Sequence, residues 1–144
     1  GHGSEGTDEL MNWYLLASGI IALFIVVGHF AVGSKMYLKP MLDAEFDKVA
    51  AKVMHCVFHY VSVFLVLSAA ALILAGAGVN IGLGSAASAR FIGIAYAGFA
   101  LTQLVIAATS GIERGPLRMF QWMLFVPVSV LAIVGSTCCG HCAG

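Results

Sequence analysis

Three imidazoles and two carboxamides interrupt otherwise apolar stretches of this chain: His29, His55, His59, Gln103 and Gln121. An ionisable side chain in hydrocarbon is costly and normally turns toward other protein groups. His55 and His59 are four residues apart, which puts both rings on one face of a helix. Two imidazoles so placed can share one transition-metal ion, and His29 is the expected third ligand. A second chemistry uses His29 and His59 as the two axial ligands of a haem b. His55 and His59 cannot fill that role together, because both project from the same helix face. The competing reading is structural. A neutral histidine can bond a serine, a glutamine or a backbone carbonyl across a helix pair, which is worth about 0.6 kcal/mol in a membrane.

Relative depth favours a cluster. His29 lies six residues before Lys35, ~9 Å of helix, and His59 lies seven residues after Lys52, ~10 Å. The two are therefore expected at one level on adjacent helices, with His55 one turn nearer the lysines. Lys52 and Ser62 extend that stripe. Gln121 is expected at the level of His55, and Gln103 nearer the bilayer centre.

A weaker candidate is the run Cys138-Cys139-Gly140-His141-Cys142. Its four soft side chains suit a soft metal such as Cu(I) or Zn. Two of its cysteines are adjacent, however, whereas a zinc knuckle separates them by two residues. Disulfides are a rival outcome on an oxidising side, and a solvated tail is the default. Cys56 points about 100° away from His55 on a helix and reads as a small apolar residue. No carboxylate falls inside an apolar stretch; Glu113 and the acids near Asp43 are interfacial. That speaks against a di-iron carboxylate centre and against carboxylate-based proton coupling. No serine–histidine–acid set is visible, although interfacial acids remain within reach of His55.

The elements that position these groups follow from composition. Of 144 residues, 60% are hydrophobic and 10% charged, too few polar groups to coat a water-soluble domain. Formal net charge is zero, which gives no electrostatic case for nucleic acid or an acidic substrate. Apolar stretches run over about 12–34, 53–76, 91–110 and 119–136, each long enough to cross a ~30 Å hydrocarbon layer as a helix. None alternates with a period of two, so a barrel is not expected. The expected fold is all-α: a polytopic, antiparallel four-helix transmembrane bundle over residues 11–136. Residues 1–10 are expected to be a disordered tail preceding a native start at Met11, and residues 137–144 a Cys/His-rich tail.

Proline in Lys39-Pro40 is expected to end the first helix. Asp43 is the expected N-cap of a long second helix, with Glu45 and Asp47 in its first turn. Gly76 and Gly78 end that helix, Gly115-Pro116 marks the last turn between spans, and Pro127 kinks the fourth helix. Small residues mark contact faces: Ser18, Ala22 and Gly33 in the first helix, and Gly93, Ala97, Ala100 and Ala107 in the third. Lys35, Lys39, Lys48, Lys52, Arg114 and Arg118 flank loops 1 and 3, whereas Arg90 alone lies by loop 2. The positive-inside rule then makes loops 1 and 3 cytoplasmic and both termini external. Trp13 and Tyr14 suit the outer aromatic belt, and Tyr37, Phe58, Tyr60 and Trp122 the inner one.

The segments Gly28-His29-Phe30-Ala31-Val32-Gly33, Lys39-Pro40-Met41-Leu42 and Met54-His55-Cys56-Val57-Phe58-His59 carry a resemblance. Over roughly half the chain they resemble small bacterial four-helix membrane proteins of unknown function, which implies a bacterial inner membrane and brings no activity with it. The size and the histidine in the first helix are also faintly similar to the HemJ-type protoporphyrinogen oxidases, which implies haem. The basic, tryptophan-containing motif of that family after the histidine has no match here.

Three functions are compatible with these residues. The first is a membrane protein whose histidines bind a metal or haem. The second is a non-enzymatic scaffold, or a subunit that binds lipid or a partner, with structural histidines. The third is a small transporter or channel whose pore forms at a subunit interface. The partners expected are the lipid bilayer and further copies of the chain; no enzymatic constellation is evident.

Overall fold

A computed structural model describes residues 11–79 and 85–140, and every regular element among them is helical. The first helix begins as α1 (Trp13–Gly28), continues as a π-helical stretch over His29–Leu38, and finishes with a short turn, α2 (Lys39–Asp43). It is followed by α3 (Lys48–Gly76), α4 (Ala86–Thr109), the single turn α5 (Gly115–Arg118) and α6 (Trp122–Gly140).

The helix starts are set by local hydrogen bonds. Asn12 caps α1 by accepting from the Leu15 amide at 3.2 Å. Asp47 caps α3, its Oδ1 accepting from the amides of Val49 and Ala50. The expected cap, Asp43, is instead the last residue of the first helix and is bound at 2.6 Å by Lys39 Nζ. The first helix also runs past Pro40 rather than ending there. The register changes at Lys39, so Pro40 sits in a fresh first turn, where a missing N–H does no harm. Gly78 ends α3 as expected, with φ of 73°, in the left-handed region that glycine tolerates. Gly115-Pro116 opens α5 rather than forming a bare turn. Pro127 lies inside α6.

Among the described residues, three helices are long and apolar enough to cross a membrane: Trp13–Asp43, Lys48–Gly76 and Ala86–Thr109. The apolar part of the last helix, Trp122–Cys138, is shorter. No more than about a third of the 18-residue apolar stretch in each of these helices is buried in the protein (33%, 33% and 28%). The remainder, including Phe24, Phe91 and Leu101, forms an apolar exterior that water would not tolerate and acyl chains would. This is a membrane helical bundle.

The core joins Leu15, Ala22 and Ile25 of α1, Leu65, Ala69 and Leu72 of α3, Ile92 and Tyr96 of α4, and Val128 and Ala132 of α6. α1 packs on α3 and α6, and α4 packs on α6. α3 and α4, consecutive in sequence, meet at few points. One of these is the 3.0 Å hydrogen bond between Ser68 Oγ and Tyr96 Oη. Small residues allow the close approaches. A Cβ on Gly76 would lie 2.5 Å from the Leu16 amide nitrogen, and one on Gly93 would lie 3.1 Å from the Ser129 carbonyl. Ser18, Ala22, Gly33, Gly93, Ala100 and Ala107 are buried as expected. Ala97 is exposed, because Tyr96 beside it takes the inward position. Ser18 Oγ donates to the Val128 carbonyl at 2.8 Å, and Asn12 Nδ2 donates to the Gly135 carbonyl at 2.8 Å, tying α1 to α6.

Candidate functional site

An α-helix places each N–H opposite the carbonyl four residues back; a π-helix widens the ring by one residue. At the end of the His29–Leu38 stretch the Lys39 amide bonds the Ser34 carbonyl, five residues back. Such stretches are rare, usually a single turn, and concentrate at functional sites. Here the widened helix forms one wall of a cavity of about 360 Å³ and supplies His29, Val32, Gly33 and Tyr37 to it. Phe24, Ile25 and Gly28 of α1 extend that wall. Phe58, Val61 and Leu65 of α3 form a second wall, and Phe120, Gln121, Leu124 and Phe125 a third. The volume is at the lower end of the range for small-molecule sites.

Three polar groups break this apolar lining. His29 is half-buried and stacks on Phe58, with ring centroids 4.1 Å apart and planes 18° from parallel. Its Nε2 lies 2.8 Å from Ser62 Oγ, and Ser62 in turn donates to the Phe58 carbonyl at 3.0 Å. A serine has one proton to give, so His29 must donate from Nε2. Its Nδ1, on the side facing Gly33, is then an acceptor. The other two groups are Tyr37 and Gln121, at the end of the cavity nearest α2. Gln121 Nε2 donates to Tyr37 Oη at 2.9 Å. Gln121 Oε1 accepts from Gln103 Nε2, which also reaches the Met119 carbonyl at 3.2 Å. This relay ties the first helix, α4 and the start of α6 together beside the cavity.

The histidines of the sequence do not gather at one point. His29 faces Ser62 inside the bundle. His55 and His59 pair with each other on the flank of α3, Nε2 to Nε2 at 3.1 Å, and His59 is exposed. Phe58 touches both groups, stacked on His29 and edge-on to His59. Among the described residues no three His, Cys, Asp or Glu side chains are placed to hold a metal ion, so the expected His29–His55–His59 centre is not assembled. The reason is rotational. Depth brings His29 and His59 to one level, but α3 turns Phe58, Ser62 and Leu65 toward the first helix, and His59 is about 100° around from Phe58.

Nothing in the arrangement supports the expected haem ligation by His29 and His59. Phe58 touches both rings, stacked on His29 and edge-on to His59. Of the weak C-terminal candidates, His141 and Cys142 lie outside the described residues and Cys139 lies in the last turn of α6; Cys138 is exposed and free, as is Cys56.

Gln103 and Gln121, noted in the sequence only as polar residues within the spans, are directly bonded. Tyr37 and Phe58, assigned to an aromatic belt, and Gly33, assigned to packing, are cavity residues. The stripe Phe58–Ser62–Leu65, at i, i+4 and i+7, is the sequence signal that marks the face of α3 toward the cavity. Comparison with protein-family models, with curated proteins and with solved structures found no match to the chain.

Proposed function

We propose that this chain is a non-enzymatic membrane protein that holds a small amphiphile, of about a dozen non-hydrogen atoms, in the cavity between the first helix, α3 and α6. In this reading Trp122–Gly140 also crosses the bilayer, giving four antiparallel spans with loops 1 and 3 in the cytoplasm. The apolar body of the ligand packs on Val32, Val61, Leu65, Leu124 and Phe125, residues drawn from all three walls. Its polar end takes one donor to His29 Nδ1, or inserts between Tyr37 and Gln121. The observation that carries the proposal is that a π-helical stretch brings His29 and Tyr37, the latter bonded to Gln121 of the opposite wall, into an otherwise apolar lining. A hydrogen-bonding group at one end of an apolar space selects for an end-functionalised hydrocarbon over a plain one.

A medium-chain alcohol carrying a diazirine tests the assignment on the protein in lipid nanodiscs. Photolysis is expected to place label on Val32, Val61 and Leu65, saturably and in competition with unlabelled alcohol. Label spread without saturation over the outward-facing Val63, Val66 and Leu101 would show that the reagent sees only annular lipid.

A further inference from the structure

The His55–His59 pair lies apart from the cavity and asks for a separate account. Counting back from Gly76 by ~20 residues, the length that spans the hydrocarbon, reaches the turn containing Val57. The pair therefore sits at the boundary between headgroups and acyl chains, at the lysine-rich end of α3. His55 also lines an open recess with Glu45, Phe46, Lys48 and Lys52, which leaves it reachable from the aqueous side. Lys48 and Lys52 are the cations facing this recess, and Glu45 is the acid.

The spacing of the two nitrogens is informative. Zinc and its neighbours bind imidazole nitrogen at about 2.0–2.1 Å. Two nitrogens 3.1 Å apart, each at that distance from a common ion, subtend about 98° at the ion. This lies between the ~90° of a square or octahedral centre and the ~109° of a tetrahedral one. The rings need no rearrangement of the helix to chelate, since i and i+4 positions already share a face. In the metal-free pair one Nε2–H donates to the other Nε2. Chelation requires both Nε2 lone pairs, so the donor ring moves its proton to Nδ1, and both imidazoles stay neutral with no net change in protons.

We infer that His55 and His59 form a two-imidazole chelate for a borderline divalent ion of the Zn(II), Ni(II) or Cu(II) class, open to the aqueous recess. Among the described residues no third protein ligand joins them. The remaining coordination positions belong to water or to a small exchangeable ligand, which makes the site one for capture and release rather than for permanent structural metal.

The test uses the full chain in nanodiscs, with the four cysteines replaced by serine and His2 and His141 by alanine to remove competing ligands. Zn(II) is titrated against a chromophoric chelator. One Zn(II) per chain is expected, and His55→Ala or His59→Ala each weakens it about 100-fold by removing the chelate. His29→Ala leaves the affinity unchanged. The pair lies on the flank of the bundle, so thermal midpoints of His55→Ala and His59→Ala equal to that of the parent check that the fold is intact. Absence of a Zn(II) equivalent, retention of affinity in His59→Ala, or an equal loss in His29→Ala would each overturn the assignment.

Discussion

Filling the cavity from Gly33 separates ligand binding from folding. A Cβ at Gly33 would meet Phe58 at 3.7 Å and His29 Nδ1 at 3.8 Å, which is ordinary contact, so Gly33→Ala is accommodated. Gly33→Leu continues from that Cβ into the 360 Å³ space and adds about four water-sized groups in all. Those groups occupy roughly a third of the volume. A ligand deprived of about four methylene contacts loses ~0.8 kcal/mol for each, or ~3 kcal/mol. That corresponds to roughly 200-fold weaker binding. Filling an existing space creates no cavity and severs no hydrogen bond, so the thermal midpoint should hold or rise. The assay is saturation of diazirine-alcohol labelling on Val32 and Leu65 in nanodiscs, with Gly33→Ala as the matched control. Unchanged half-saturation in Gly33→Leu, with the protein folded, would refute the cavity as the binding site.

Three further outcomes follow from named contacts. Ser62→Ala removes the acceptor of His29 Nε2 and should cost about 0.6–1.7 kcal/mol. His29→Ala should add little to it, because the two share one bond, and a double-mutant cycle in detergent unfolding reads the coupling. Gly76→Ala sets a Cβ 2.9 Å from Leu16 Cα, backbone that cannot swing aside. It should destabilise by about 1–3 kcal/mol in the same unfolding assay, whereas Gly98→Ala, with open space around it, should not. In a cysteine-free background, single cysteines at Glu45 and Glu113 should both react with an impermeant maleimide added from the cytoplasmic face only; labelling from opposite faces would reject the four-span arrangement.

The fold was largely legible because lipid imposes a simple demand on composition. Runs of apolar residues had to be helices, and glycine and serine at helical spacing had to mark close approaches. Ala22, Gly93 and Ser18 answer to that logic, whereas Gly76, read only as a helix end, proved to be a further close approach. Local rules failed where two of them competed. Pro40 reads as a helix stop, but the change of register at Lys39 turned it into a helix start. Asp43 and Asp47 are equally good caps by residue type, and Lys39 settled the matter by engaging Asp43. The π-helical stretch left no signal in residue types, since the extra residue per turn is a matter of backbone register. The site was legible in its depths and not in its rotations. His29 and His59 were placed at one level by counting residues, yet the one-residue step from Phe58 to His59 decides which ring enters the bundle. Gln103 and Gln121 could be seen as misplaced in hydrocarbon, but their pairing with each other and with Tyr37 depends on how α5 folds the chain back.

The sparse meeting of α3 and α4 has a consequence for biogenesis. The chain divides into two consecutive halves, each of which packs its own helices and needs the other mainly along the seam where α1 lies on α6. Each half can enter the bilayer as it leaves the ribosome, without waiting for distant sequence, and final assembly reduces to docking two prefabricated pieces. A polypeptide severed between α3 and α4 and expressed as two fragments would be expected to reunite in the membrane, guided by Asn12 reaching Gly135 and Ser18 reaching Val128.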